Sequence, residues 1–213
     1  VPDIIHGTRI DKGFDLAGTS IGIVDRNSVI TGERIEPGDI VVGLASEGIH
    51  SNGLTLARKV LLGTSKLTVH DNLPGTDLKI GEELLAPTRI YSPQVHEMTK
   101  ETDMHGLAHI TGGAFTKLSR IGQYAHVGFK LDRMPRPQYI FEAISKLGRV
   151  SEEEMYKTFN MGIGFCVVAP KDQVEEVSAI AERHGTKAIV IGEATKGETI
   201  AIKTCRGTTL KFQ

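Results

Sequence analysis

The sequence has no tryptophan, two cysteines, and aromatic residues at only 5% of its 213 positions. It has no excess of either charge: 25 lysines and arginines face 26 aspartates and glutamates, for a net charge of −1. A nucleic-acid binder shows a basic stripe interleaved with aromatics, so nucleic acid is not an expected partner. No apolar run approaches 18 residues and no secretory leader pattern is visible, so no membrane span is expected. Cys166 and Cys205 lie in apolar, strand-like runs without CxxC or Cys/His metal spacing. Both read as free buried thiols in a reducing, cytoplasmic setting. His6, His70, His96, His126 and His184 show no ligand spacing, read as surface or packing residues, and leave no metal site to predict. The chain opens on Val1-Pro2-Asp3, which reads as the middle of something longer or as a trimmed start.

Glycine is what the sequence has in excess: 24 of 213 residues, roughly 11% against an average of about 7%. The glycines cluster beside polar residues, a pattern that favours backbone-lined ligand sites over a flexible chain. The stretch Gly43-Leu44-Ala45-Ser46-Glu47-Gly48-Ile49-His50-Ser51-Asn52-Gly53 organises the rest. Before it, residues 40–45 read as a short buried strand entered through the turn 36–39. After it, Leu54, Leu56, Ala57, Val60 and Leu61 recur at helical spacing to about residue 62. Unpaired amides where a loop meets a helix suit a phosphate; Ser46, Ser51 and Asn52 add donors, and Gly48 and Gly53 allow close approach. His50 is the one side chain there that changes protonation near neutral pH. The plain alternative is an ordinary strand-to-helix turn with Asn52 as helix cap.

Along the chain, residues 14–24 read as a long strand, with short strand pieces at 29–30 and 34–35. Residues 63–82 read as an irregular excursion, and 84–91 as the start of a second helical region. Pro93 separates a short turn from a main helix over 94–101. A buried strand near 104–110 runs into Thr111-Gly112-Gly113 and a short helix carrying Phe115, Leu118 and Ile121, repeating the strand, glycine loop, helix order of 40–62. A strand at 127–131 and a helix after Pro137 follow. The next helix, 151–158, is capped by Ser151 with Glu154 three residues on. Asn160-Met161-Gly162-Ile163-Gly164 opens another strand, a helix carries Val174, Val177, Ala181 and His184, and strands close the chain at 188–192 and 200–203. Pairs at 14–35 and 187–204 look like hairpins. The fold class is therefore α/β, a mixed β-sheet packed with helices in layers.

Three stretches go beyond generic reading: Ala45 to Gly53, Ala108-His109-Ile110-Thr111-Gly112-Gly113, and Phe159-Asn160-Met161-Gly162-Ile163-Gly164. With Asp15-Leu16-Ala17-Gly18, Leu85-Ala86-Pro87-Thr88-Arg89-Ile90-Tyr91 and Met155-Tyr156-Lys157-Thr158-Phe159, they resemble, in order, aminoimidazole ribonucleotide synthetase (phosphoribosylformylglycinamidine cyclo-ligase). The resemblance implies an enzyme of purine synthesis that uses ATP and Mg²⁺ to close the imidazole ring of formylglycinamidine ribonucleotide. It implies a cytoplasmic homodimer, with an N-terminal domain that carries most of the ATP–Mg²⁺ ligands. Residues 1–35 would be the last strands of that domain and 36–213 the C-terminal α/β domain, a fragment inactive alone. Glu47, Ile49 and Ala114 depart from the family pattern, where Ser, Pro and a third Gly are common. An acid at position 47 weakens the phosphate reading unless its side chain faces away.

The resemblance makes His50 the first candidate for substrate contact or proton transfer, against a loop histidine capping the next helix. His109 is the second, against a satisfied core histidine; His105 is expected to be structural. Thr111, Gly112 and Gly113 would hold a phosphate or oxyanion. Asn160, Gly162 and Gly164 would supply a third set of amides, against simple close strand packing. Asp15 would support the site or merely brace a loop. The alternatives are a phosphotransferase of the same superfamily, like thiamine monophosphate kinase, and a non-catalytic binding module.

Overall fold

Strand-forming runs that are apolar at every position must be covered on both faces, and two runs here have that character. Residues Ile40–Ala45 (β1) and Ile163–Ala169 (β4) are buried almost throughout. The computed structural model describes residues 17–212 and builds on these strands a seven-stranded sheet. The others are Gly106–His109 (β2), Val127–Leu131 (β3), Ala188–Lys196 (β5), Ile200–Lys203 (β6) and Thr209–Phe212 (β7), in the order β2-β4-β1-β5-β3-β6-β7. Only β3 and β6 pair in parallel; the other pairs are antiparallel. The sheet is mixed and layered, as the sequence implied.

Alternate residues of a strand point to opposite faces, and the core divides accordingly. Val41, Cys166 and Val168 join Phe115, Phe141, Ile144 and Tyr156 in one cluster. Their helices are Leu54–Arg58 (α1), continued as a π-helical turn to Thr64, Leu118–Gly122 (α4), Tyr139–Gly148 (α5) and Glu152–Thr158 (α6). On the other face Val42, Leu44 and Val167 pack against Met98, Val177 and Ile180, from helices Ser92–Glu101 (α3) and Val174–Arg183 (α7). Ser151 caps α6 by accepting from the Glu154 amide at 3.2 Å.

Several expectations need correction. Within 14–24, the described residues 17–24 form no strand: Ile21 and Ile23 are fully exposed, and no ladder partner exists for them among the described residues. A strand needs its backbone groups paired. Residues 29–30 and 34–35 are not strands either; Asp25 instead caps a 3-10 turn over Arg26–Ser28. Phe14, Asp15 and Leu16 lie outside the described residues. In place of a helical region starting at 84 there is Ile80–Leu85 (α2), which stops because Ala86, preceding Pro87, is extended. Pro93 lies inside the first turn of α3, where its missing N–H costs nothing, rather than before the helix. The expected 187–204 hairpin does not form. Strand β3 inserts between β5 and β6, and the hairpin is β6–β7, whose second strand the sequence pattern did not indicate. Cys166 is buried, which pushes its thiol up, whereas Cys205 is exposed in the turn after β6.

Candidate functional site

Sheet order decides where the glycine loops meet. β1 and β2 both run antiparallel to β4, one on each side of it. The loops that leave β1 and β2 and the loop that enters β4 therefore share one end of the sheet. Two backbone bonds stitch them: the Ser46 amide donates to Gly162 O at 3.0 Å, and the Ile110 amide to Gly164 O at 2.8 Å. The motifs around 46–53, 109–113 and 160–164, far apart in sequence, thus form one surface.

Asn160 is the strut beneath it. Buried at 4% exposure, it accepts from the Ser46 hydroxyl at 2.8 Å and the Gly162 amide at 2.9 Å. Its Nδ2 donates to Gly48 O and Ile49 O, both at 3.1 Å. All of its polar capacity is used inside the protein, so its part is to hold two loops in register. Ser46 is likewise buried and committed to Asn160, and Gln138 Nε2 donates to Ser46 O at 2.8 Å. Asn52 does not cap α1. Gly53 occupies the cap position at φ 86° with no side-chain bond, and the Asn52 side chain instead lies against Gly112. Ser51, Gly112 and Gly113 are exposed and Thr111 is half-buried.

His50 sits deeper. It is 5% exposed, and neither ring nitrogen has a hydrogen-bond partner. Burial, with His109 adding repulsion, lowers its pKa to about 4 despite an opposing pull from Glu47, so the ring is neutral at pH 7. Tyr91 donates to Ala45 O at 2.9 Å and sets its ring 6.4 Å from His50 and 5.7 Å from His109. His109, exposed at the end of β2, stacks on Phe165 at 5.8 Å; burial and then Lys117 hold its pKa below the usual histidine value. Gly164 is what makes room: a Cβ there would meet the Tyr91 hydroxyl and stand 2.7 Å from His50 Cε1. His105, expected to be structural, pairs with Asp39 at 2.7 Å.

One non-glycine residue in each loop has left-handed backbone: His50 at φ 64°, Ala114 at φ 44° and Met161 at φ 48°. Such conformations cost of order 1–3 kcal/mol each and cluster where geometry serves function. Glu47 pairs with Arg89, which also donates to Gly185 O at 3.1 Å and Thr186 Oγ1 at 3.2 Å. Its carboxylate is thereby paired with a guanidinium, while its charge still reaches His50. Sequence reading missed Gln138 and Lys117, whose Nζ donates to Thr111 Oγ1. Tyr91 was visible only as part of the Arg-Ile-Tyr motif. Among the described residues, no group of three His, Cys, Asp or Glu comes together that could hold a metal ion, and no helix is long and apolar enough to cross a membrane. A separate cleft of about 980 Å³ lies along α1 and α2, lined by Leu54, Arg58, Leu62, Leu84, Leu85 and Pro87 among others, and contains neither His50 nor His109.

The family model "AIR synthase related protein, C-terminal domain" matches residues 36–204. The phosphoribosylformylglycinamidine cyclo-ligase of Methanothermobacter thermautotrophicus is 47% identical over 95% of this chain and 59% of its own length. That of Methanococcus maripaludis strain C6 is 47% identical over 93% of this chain and 56% of its own. The chain thus spans a little over half the length of these relatives. Among solved structures, the hydrogenase maturation protein HypE superposes with TM-score 0.59 at 19% identity, covering 90% of this chain and 56% of that one. T. maritima PurL complexed with FGAR superposes at 0.56 and 13% identity, covering 87% and 29%. These two share the fold. The family match extends over most of the described sheet and all three loops: the chain belongs to the AIR synthase related family, through its C-terminal domain.

Proposed function

We propose that this chain is the C-terminal part of a phosphoribosylformylglycinamidine cyclo-ligase and supplies the ribonucleotide-holding half of its site. The observation that carries the reading is the meeting of three motif loops at one sheet end around a buried, unpartnered His50. High identity to named cyclo-ligases supports the substrate class. In this reading Thr111, Gly112 and Gly113, with Ser51 and Asn52, present hydroxyl, amide and amide-side-chain donors to the substrate phosphate. Asn160, Ser46, Gly162 and Gly164 shape the loops.

His50, neutral at pH 7, has one nitrogen that donates and one that accepts. It is suited to orient an amidine or formamide group and to take a proton only transiently. Tyr91, anchored on Ala45 O, sets its ring beside both that imidazole and His109. ATP supplies the phosphoryl group that activates the formyl oxygen. No metal-holding cluster exists among the described residues, so ATP and Mg²⁺ are assigned mostly to the part of the enzyme outside this chain, and Asp15 to a supporting role. The whole enzyme is assigned as a cytoplasmic homodimer.

Calorimetric titration of the chain with phosphoribosylformylglycinamidine, and separately with ATP–Mg²⁺, tests the assignment. Binding of the ribonucleotide without ATP is the expected result. Binding of ATP–Mg²⁺ alone would place the nucleotide site in this half and overturn the assignment.

A further inference from the structure

A cation that is partly buried without a counter-ion is held at a cost unless a ligand supplies the missing charge. Lys117 fits that description. The turn Ala114–Lys117 folds it back over the loop so that Nζ donates to Thr111 Oγ1, beside the exposed Gly112 and Gly113. No ion pair found among the described residues includes it, and the charge seen to act on it is another cation, Arg120. Burial and Arg120 together hold its pKa below the usual lysine value.

Lys117 acts on His109, and His109 acts on His50, whose two buried ring nitrogens lack partners. The one carboxylate that reaches His50, Glu47, is engaged by Arg89. Between the neutral His50 ring and Lys117 the loop ends thus carry donors, and Lys117 adds a positive charge that no ion pair of the described residues balances.

We propose that Lys117 is a specificity-determining residue that binds the phosphate monoester of the substrate, together with Thr111 and the Gly112 and Gly113 amides. The inference rests on the ribonucleotide reading above and adds to it the group that supplies the charge. The chemistry matches a monoester dianion. Its three terminal oxygens meet the two ammonium hydrogens that Lys117 has left after Thr111, and the Thr111 hydroxyl, having accepted from Lys117, keeps its own hydrogen to donate as the third. A carboxylate offers one charge and two oxygens, and leaves donors unused.

The test compares phosphoribosylformylglycinamidine with its dephosphorylated riboside, titrated into the whole chain as wild type, Lys117→Met and Lys117→Arg. Loss of one charge-assisted contact is expected to weaken the ribonucleotide roughly 10- to 100-fold in Lys117→Met. The riboside should bind that variant about as it binds wild type, within roughly twofold, and Lys117→Arg should recover part of the ribonucleotide affinity. Lys117→Gln, which keeps a donor for Thr111, carries the same comparison if Lys117→Met melts early. Unchanged ribonucleotide affinity in the variants, with wild-type binding intact, overturns the role of Lys117 alone. Equal losses for ribonucleotide and riboside overturn it too, as a merely structural effect. No ribonucleotide binding by wild type overturns both this inference and the functional reading beneath it.

Discussion

Acidifying the protein should destabilise it through His50 in a way that one substitution removes. Its pKa is about 4 in the folded chain against 6.5 for an ordinary histidine. Between those values the unfolded state binds more protons than the folded one, so stability rises with pH across this window. The contribution is intact above pH 6.5 and is lost as pH falls toward 4. A shift of about 2.5 units at about 1.4 kcal/mol per unit gives a loss of about 3 kcal/mol. His50→Asn keeps a residue that tolerates the left-handed backbone at φ 64° and removes the titration. Urea denaturation of both proteins at pH 7, 6, 5 and 4 isolates the effect, because carboxylates, Lys117 and most of the His109 contribution cancel in the difference. The wild-type protein should lose about 3 kcal/mol more than His50→Asn across the series. The His50 ring resonance should titrate near 4 in wild type. A midpoint near 6.5, or parallel pH profiles for the two proteins, would refute a buried imidazole without partners.

Three further substitutions probe the loops. Asn160→Asp removes the two Nδ2 donors that hold Gly48 O and Ile49 O and places a charge in a buried site; it should cost about 2–4 kcal/mol in urea denaturation. Gly164→Ala drives a methyl into the Tyr91 hydroxyl and His50; a loss of about 1–3 kcal/mol is expected, with weaker ribonucleotide binding by calorimetry. Ala114→Gly relieves a left-handed alanine at φ 44° and should stabilise by up to about 1 kcal/mol, the relief being partly offset by glycine's greater freedom when unfolded; thermal melting reads the sign.

Where neighbours in sequence decide the structure, the sequence was legible. The apolar runs of β1 and β4, the Ser151 cap of α6 and the strand–loop–helix order at 40–62 and 106–122 all follow from local pattern. Where a distant partner decides, it was not. Residues 17–24 carry the composition of a strand but have no strand beside them among the described residues. The insertion of β3 between β5 and β6 depends on crossover topology that periodicity does not encode. The site divides in the same way. The loop motifs named nearly every residue at the shared sheet end, yet gave no hint that Asn160 spends all its hydrogen bonds internally. Nor did they indicate that Arg89, 42 residues on, pairs with Glu47. Gln138 carries no motif at all; only its reach to Ser46 O reveals it.

The central claim is that three loops at one sheet end hold a ribonucleotide, and amide chemical-shift mapping tests it most directly. The isotope-labelled chain would be titrated with phosphoribosylformylglycinamidine. The account predicts shifts gathered at residues 46–53, 109–117 and 160–164, with His50 and Lys117 side-chain signals moving along with them. Shifts confined to the cleft along α1 and α2, or an unperturbed spectrum at saturating ribonucleotide, would contradict it.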